Sequence, residues 1–184
     1  LYQLMDRDDV NDQAVQDAAA IELLHTSTLI HDDIIDHATR RRGVPTISAL
    51  FDTDIALLVG NLVKDAAIRI SSRRCTKLIN QASVDVNLGQ LWETQARSQP
   101  YLNLGDSLCI GLYKAGRIFR AVVKIADSYR QTKERLDGAE SLSVAAELVA
   151  LTYQAVDDWL DEVNVPNQTK KSSGLDATNN VHSF

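Results

Sequence analysis

Two short clusters of aspartate residues are the strongest chemical feature of the sequence. Each has the spacing D-D-x-x-D, and the six positions are Asp32, Asp33, Asp36, Asp157, Asp158 and Asp161. On a helix, residues at i, i+1 and i+4 share one face within about one turn, so each cluster concentrates three carboxylates. Like charges at i and i+4 destabilise a helix by roughly 0.2–0.5 kcal/mol per pair, so we expect something outside the helix to offset the repulsion.

The flanking residues bear on what the clusters do. A solvated acidic face would explain one such cluster alone. Apolar neighbours argue against that explanation, because Ile34 and Ile35 lie inside the first motif and Trp159 and Leu160 inside the second. Both faces are therefore expected to point inward or into a cleft. Mg²⁺ is typically held by one or two carboxylates together with waters and substrate phosphates. Two clusters could grip a diphosphate through bridging Mg²⁺ ions and favour its departure as a leaving group.

The elements that must position these clusters are predicted to be helices. Apolar residues recur at helical spacing over about 12–38, 47–70, 76–97, 106–130 and 139–163, and no alternating strand pattern is present. The chain has only three prolines and eight glycines, which favours long helices. A basic loop at 40–45, RRRGVP, follows the first cluster. We predict an all-α fold in a single domain, residues 1–184.

Composition and charge exclude several classes of function. The chain of 184 residues is 45% hydrophobic and 24% charged, as expected of a globular protein, and its net charge of −6 argues against nucleic acid as the main partner. No apolar run approaches ~20 residues, so we predict no membrane span and expect a cytoplasmic location. No leader peptide is visible, although the chain does not begin with Met and an upstream segment could precede it. Cys75 and Cys109 lack metal-ligand spacing and are expected to be buried free thiols.

Together the motifs resemble those of the trans-isoprenyl diphosphate synthases, the polyprenyl synthetase family. HDDIIDHATRRRGVPT resembles the first aspartate-rich motif of that family with its Arg-Arg-Gly loop, and YQAVDDWLDEV resembles the second. Further matching positions are AAAIELLHTSTLIHDD, Gly89–Gln90, Lys114, Gln154 and KSSGLD at 171–176. The resemblance covers essentially the whole chain. It implies the isoprenoid synthase-type fold, a bundle of long antiparallel helices around a central cavity.

The resemblance implies a metal-binding role for the aspartates. Asp32 and Asp36 would ligate Mg²⁺ that bridges the diphosphate of an allylic substrate, with Asp33 in support. Asp157 would ligate a third Mg²⁺ across the cleft. Asp158 and Asp161 would assist that ion through water.

Basic and amide residues would bind the two substrates. By resemblance, Arg41 contacts the allylic diphosphate and Arg42 contacts isopentenyl diphosphate, since a guanidinium pairs bidentately with phosphate oxygens. Lys114 and Lys171 would hold the diphosphate as it leaves. Gln154 would lie beside the forming carbocation or donate a hydrogen bond to the diphosphate.

The implied reaction is ionisation, condensation and elimination. Diphosphate leaves the allylic substrate, the double bond of isopentenyl diphosphate attacks the resulting carbocation, and a proton is lost. This reaction needs no side-chain nucleophile. His25 and His31 flank the aspartates and are interpreted as packing or hydrogen-bonding residues instead of metal ligands.

Product length in such enzymes depends in part on the residues four and five positions before the first aspartate. Here these are Thr28 and Ser27, which lie roughly 6–7.5 Å from Asp32 along the helix axis. An aromatic side chain there would block the growing prenyl chain, whereas small side chains leave it room. A product of C20 or longer is expected.

Several positions depart from the family pattern. Asn61 follows Gly60 where Asp is usual, Ala115 follows Lys114 where Thr is usual, and Asn180–Val181 stand where Gly-Lys is usual. An N-terminal Gly-Lys-x-x-Arg segment and a C-terminal helical region are missing, and the stretch between Gly60 and Gly89 looks short. We therefore expect the chain to be incomplete at both termini and possibly at internal loops such as ISSRRCTK or RSQPYLNLGD.

Three functions remain open from the sequence. The leading hypothesis is a Mg²⁺-dependent prenyltransferase, expected to be a homodimer. A class I terpene cyclase shares the fold and the first motif, but usually has an Asn/Ser/Glu metal triad where this chain has DDWLD. A non-catalytic regulatory subunit of a heteromeric synthase is the third. The intact aspartates argue against it, while Asn61 and Val181 leave it open.

Overall fold

The computed structural model of the chain describes residues 11–98, 101–130 and 138–162, with the backbone alone for residues 158, 161 and 162. The elements in these ranges are α1 (Asp12–Ile35), β1 (Arg40–Arg41), β2 (Val44–Pro45), α2 (Ile47–Leu50), α3 (Thr53–Ile70), α4 (Thr76–Ala96), α5 (Leu104–Gly111), a π-helical turn (Leu112–Gly116), α6 (Arg117–Tyr129) and α7 (Ala139–Glu162). The predicted all-α class is confirmed. The prediction of one domain over 1–184 stays a prediction.

Short polar side chains set where several helices begin. Asn11 accepts a hydrogen bond from the backbone N–H of Ala14 at the start of α1. Asn103 does the same for Asp106 at the start of α5. Such caps satisfy a backbone donor that has no partner inside the helix, which is worth about 1 kcal/mol each.

Two predicted helix boundaries are wrong. The run at 47–70 is broken, because Asp52 has an extended backbone and its carboxylate caps α3 by accepting from the N–H of Ile55 at 2.7 Å. The first helix ends at Ile35 instead of about residue 38. Asp36 is its C-cap, and His37 has a left-handed backbone with φ of 54°. Asp36 therefore closes the last turn of α1, and its N–H donates to the carbonyl oxygen of Asp32 at 2.8 Å.

A two-residue antiparallel pairing, not predicted from the sequence, follows α1. Arg40 pairs with Pro45 and Arg41 with Val44. The turn between them has φ of 51° at Arg42 and 83° at Gly43, and glycine adopts the second value without strain. The tight turn folds the basic loop back toward the aspartates.

Contacts along α1 give the direction of its neighbours. Asp17, near the start of α1, contacts Ser72 just after α3 and the hydroxyl of Tyr129 at the end of α6. Near the end of α1, the ring of His31 lies against Gly60, where an added Cβ would come within 2.4 Å of the imidazole Nε2. The helices α3 and α6 therefore run antiparallel to α1.

The helices α4 and α7 run in the same direction as α1. The start of α4 lies beside Asp17, and Arg97 at its end pairs with Asp36. On α7, Glu147 pairs with Arg117, while Leu151 lies against Gly111, so α7 is antiparallel to the α5–α6 segment. The C-terminal ends of α1, α4 and α7 thus meet at one end of the bundle. We call it the aspartate end, and the opposite end, around Asp17, Ser72 and Tyr129, the basal end.

The core lies between α1, α3, α4 and α6. Its fully buried members include Leu24, Ile79 and Ile125. Cys75 is buried as expected, but Cys109 is exposed, which corrects the prediction that both thiols are buried. The reason is that α5 buries Ser107, Ile110 and Gly111, and residue 109 projects from the opposite side of that helix. No described helix combines the length and the hydropathy needed to cross a membrane.

Candidate active site

Two of the first-motif aspartates are held by arginines from other elements. Nε of Arg41, on β1, donates to Oδ1 of Asp33 at 2.7 Å. Nη2 of Arg97, at the end of α4, donates to Oδ1 of Asp36 at 2.5 Å. The side chains of all four residues are 11–22% exposed. Each arginine places a positive charge against one carboxylate of the first motif and so offsets part of the repulsion within it.

Lys114, on the π-helical turn, lies close to Asp32 and Asp36 of the first motif. Its Nζ lies 2.7 Å from both carboxylate oxygens of Glu93, and Nε2 of Gln90 donates to Glu93 at 2.8 Å. Gly89 makes this approach possible, because a Cβ there would lie 2.8 Å from the backbone nitrogen of Lys114. Segments of π-helix often occur at functional sites. This one carries the lysine that the sequence singled out.

Glu93 and Arg97 were missed by sequence reasoning. They stand one and two turns beyond the Gly89–Gln90 pair, on the side of α4 that faces α1 and the π-helical turn. The signal available in the sequence was their i, i+4 spacing after that pair. Spacing alone did not show which partners they would meet.

Charges around Asp32 and Lys114 are strongly coupled. Burial raises the pKa of Asp32; Lys114 and Arg41 oppose this rise, whereas Asp36 and Glu93 add to it. For Lys114, burial alone would lower the pKa, but Asp32, Glu93 and Asp36 outweigh it and raise the pKa. Lys114 is therefore a permanent cation at neutral pH. For Asp32, Lys114 and Arg41 do not fully offset the effect of burial on the pKa.

The remaining residues of the first region have other environments. Arg42 is exposed at the tip of the turn. Burial lowers the pKa of His25, with Arg42 and Arg41 adding to the effect against Glu22 and Asp32. Nε2 of His31 is buried against Gly60 and has no hydrogen-bond partner among the described residues.

Ser27 and Thr28 lie on different faces of α1. Ser27 is only 1% exposed and precedes His31 by one turn, so it shares the face that packs against α3. Thr28 precedes Asp32 by one turn, and its hydroxyl donates to the carbonyl oxygen of His25 at 2.7 Å. Of the two, Thr28 is therefore the residue directly below Asp32.

The second motif lies on α7. Ser143, Glu147 and Ala150 form the buried side of this helix, and the half-buried Gln154 and Asp157 continue the same stripe at helical spacing. Trp159 is 58% exposed, because it falls off that stripe. Its apolar character thus wrongly indicated an inward face, although Asp157 does lie on the packed side.

Several predicted residues lie outside what the structure describes. Lys171 and the Asn180–Val181 pair are beyond the described residues, and so are the side chains of Asp158 and Asp161. Asp157 stands six residues beyond Leu151, which contacts Gly111, or about 9 Å farther along the helix axis. Both motifs are therefore at the aspartate end.

The carboxylates of the first motif suit a metal ion that also binds waters and substrate phosphates better than one surrounded by protein ligands alone. Within the described ranges, no three His, Cys, Asp or Glu side chains converge closely enough to surround a metal. Burial raises the pKa of Asp32, and the carboxylates of Asp36 and Glu93 add to this rise against Lys114 and Arg41, so a further cation beside Asp32 would favour its charged form. Open carboxylate sets completed by waters and phosphates are typical of Mg²⁺.

Comparisons with known proteins bear on the family of the chain. The family described as "Polyprenyl synthetase" matches residues 1–184. The chain is 30% identical over 181 residues to a short chain isoprenyl diphosphate synthase of Methanocaldococcus jannaschii, covering 94% of this chain and 54% of that protein. It is 27% identical over 169 residues to a nonaprenyl diphosphate synthase of Mycobacterium tuberculosis, covering 90% and 50%.

A solved structure gives the same result for the fold. Heptaprenyl diphosphate synthase from Staphylococcus aureus superposes with a TM-score of 0.83 at 27% identity, covering 96% of this chain and 56% of that one. The chain thus spans about half the length of the relatives it matches.

Proposed function

The chain belongs to the polyprenyl synthetase family, and from that premise we propose that it is a Mg²⁺-dependent trans-prenyltransferase. It would condense isopentenyl diphosphate with an allylic prenyl diphosphate. The observation that carries the proposal is the meeting of the first aspartate motif with Arg41, Arg97 and Lys114 at the end of the bundle to which α7 brings Asp157.

The metal ions would be held by carboxylates of both motifs. Asp32 and Asp36, with Asp33 in support, would bind from α1, and Asp157, with Asp158 and Asp161, from α7; three Mg²⁺ ions are proposed. When bound, they would supply Lewis-acid stabilisation of the negative charge that develops on departing diphosphate.

The chain's own cations would bind and orient the substrates. Lys114 is fixed by two contacts with Glu93 and stays protonated, so it offers a permanent positive charge to the leaving diphosphate. Arg41 would act on the same diphosphate, and Lys171 is proposed to join them. The exposed Arg42 would bind isopentenyl diphosphate.

Gln154 would act at the carbon end of the reaction. It is half-buried on the packed side of α7, one turn before Asp157. An amide there can stabilise the carbocation through its oxygen or donate its N–H to the diphosphate. The carbocation must also be shielded from water, which the buried faces of α1 and α7 favour.

We propose a product of C20 or longer. Ser27 and Thr28 are small, so α1 carries no aromatic side chain at the positions four and five before Asp32. The names of the relatives range from short chain to nonaprenyl, so the family alone does not choose the length. A cytoplasmic location stays a prediction.

A homodimer is proposed from the exposed apolar side chains of two neighbouring helices. They recur at helical spacing and are Ile55, Leu58 and Leu62 on α3 and Val84, Leu88 and Leu91 on α4. Exposed apolar side chains that recur along a helix face often mark an association surface. Light scattering after size exclusion should give a dimer for the wild type and a monomer for Leu62→Glu, with exposed Thr94→Glu as the control.

One assay tests the proposed activity. Purified protein is incubated with isopentenyl diphosphate, an allylic primer and Mg²⁺, and the products are identified by mass. Elongated diphosphates support the proposal. A cyclic hydrocarbon would identify a terpene cyclase, and turnover that requires a second polypeptide would identify a subunit of a heteromeric synthase.

A further inference from the structure

The guanidinium of Arg97 is placed against a proposed metal ligand. Arg97 is the C-cap of α4. Its Nη2 donates to Oδ1 of Asp36 at 2.5 Å, and its Nη1 donates to the carbonyl oxygen of Ile35 at 3.3 Å. The two side chains are 18% and 20% exposed, so water screens the pair only weakly. Arg97 thus ties the end of α4 to the end of α1.

Arg97 is not fully satisfied by this contact. Its Nε is buried and has no hydrogen-bond acceptor among the described residues. Nη2 also lies 3.7 Å from Oε2 of Glu93, which is beyond hydrogen-bonding distance. The strongest arginine–carboxylate pairs use two parallel N–H···O bonds. Arg97 makes only one such bond to Asp36, so another cation can replace it more readily than it could replace a bidentate arginine.

A metal ion and Arg97 would seek the same carboxylate. On the proposed function, Asp36 is a Mg²⁺ ligand. A metal ion that takes the Oδ1 lone pair engaged by Nη2 of Arg97 at 2.5 Å must displace the guanidinium, and two cations beside one carboxylate also repel each other. We propose that Arg97 is a positioning residue that holds Asp36 in the metal-free protein and competes with the divalent cation for it. The inference rests on the proposed function.

Competition has a defined thermodynamic consequence. If Asp36 is free for metal in only a fraction of molecules, the apparent dissociation constant of the metal is raised by the inverse of that fraction. For a coupling of ordinary size, removing Arg97 should tighten metal binding about five- to tenfold.

The test is a double-mutant cycle with Mn²⁺ as the probe. Free Mn²⁺ is measured by electron paramagnetic resonance on the full chain without substrates, for wild type, Arg97→Gln, Asp36→Asn and the double variant. Arg97→Gln should bind Mn²⁺ about five- to tenfold more tightly than wild type. The same change should have a smaller effect when Asp36 is already Asn, because the carboxylate for which Arg97 competes is gone.

A matched control separates competition from net charge. Lys124→Gln also removes one positive charge, but Lys124 lies ten residues beyond Lys114, about 15 Å away along the segment, and pairs with Glu140. It should leave Mn²⁺ affinity unchanged. Arg97→Lys keeps the charge and should tighten binding less than Arg97→Gln. Circular dichroism confirms that each variant is folded.

Three results would overturn the inference. They are weaker or equal Mn²⁺ binding by Arg97→Gln, an equal gain in the Asp36→Asn background, and absence of binding by both wild type and Arg97→Gln. Prenyl transfer by wild type is measured in parallel. If the double-mutant cycle shows coupling between Arg97 and Asp36 but wild type does not transfer prenyl groups, the proposed function alone is rejected. If wild type transfers prenyl groups but the cycle shows no coupling, the role of Arg97 alone is rejected.

Discussion

Two aspartates on the same helix show how differently the two ends of the bundle are built. Asp17, at the basal end, is fully buried and accepts hydrogen bonds from the N–H and hydroxyl of Ser72, each at 2.7 Å, and from the hydroxyl of Tyr129 at 2.5 Å. Burial alone would raise its pKa, but these bonds and one involving Cys75 lower it. Asp32, fifteen residues later, has a raised pKa, because burial and the charges of Asp36 and Glu93 outweigh the opposing effect of Lys114 and Arg41.

The comparison separates a structural carboxylate from one available to a ligand. At the basal end, neutral donors saturate the carboxylate, so its charge is stable and no further cation is needed. At the aspartate end, several carboxylates face one another and share a few cations. A carboxylate whose charge is not fully balanced lowers the free energy of unfolding and favours the binding of an additional cation.

The largest expected effect is on activity at the aspartate end. Asp32→Asn should reduce prenyl transfer about a thousandfold, equivalent to about 4 kcal/mol, because a proposed metal ligand is lost. Its free energy of unfolding should stay equal or rise, since a poorly compensated charge is removed. Steady-state kinetics and urea unfolding measure the two quantities. Activity within tenfold of wild type would contradict the assignment.

The next largest effect is on stability at the basal end. Asp17→Ala leaves the buried donors of Ser72 and Tyr129 without an acceptor, which should cost about 3 kcal/mol of unfolding free energy. Urea unfolding measures the loss. Asp12→Ala is the matched control, since it removes the same charge from an exposed position in the first turn of α1, and it should cost less than about 1 kcal/mol. Equal losses in both variants would mean that the hydrogen bonds of Asp17 do not matter.

The dependence of stability on pH should have opposite signs at the two ends. The pKa of Asp17 in the folded chain is below its usual value of 3.8. Asp17 therefore contributes to the free energy of unfolding above pH 3.8, and this contribution is lost as the pH falls through its folded pKa. Asp17→Asn should therefore weaken the fall in unfolding free energy at acid pH. The pKa of Asp32 in the folded chain is raised. Its contribution to the free energy of unfolding is therefore complete below pH 3.8 and is lost as the pH rises through its folded pKa. Asp32→Asn should therefore gain stability over wild type at pH 7 but not at pH 3. Thermal unfolding across this pH range measures both.

The smallest expected effect concerns the part of α1 between these ends. Thr28→Phe should shorten the product, because the ring would stand one turn below Asp32 in the path of the growing chain. Ser27→Phe should shorten it too, with a further stability cost of about 1–3 kcal/mol from overpacking against α3. Mass analysis of products shows the distribution. An unchanged distribution in both variants would remove these positions from length control.

Much of the fold follows from local signals. The helical spacing of apolar residues predicted α1, α4 and α7 nearly to their ends, because the interactions that decide a helix lie within a few residues. The break at Asp52 was missed, since a capping aspartate can also sit within a helix. The turn at Arg42 and Gly43 was missed for a similar reason: its two-residue strands are too short to show a pattern.

The candidate site divides in the same way. The sequence by itself determined the two aspartate motifs, the arginine loop, Lys114 and the family, because these depend on residue type and on spacing along the chain. Only the tertiary structure decided that Glu93 holds Lys114 and that Arg97 holds Asp36. It also decided that Thr28, not Ser27, lies below Asp32, and that the charge of Asp17 is stabilised while that of Asp32 is not. These outcomes depend on which groups meet across helices, and burial and Coulomb interactions act through space, not along the sequence.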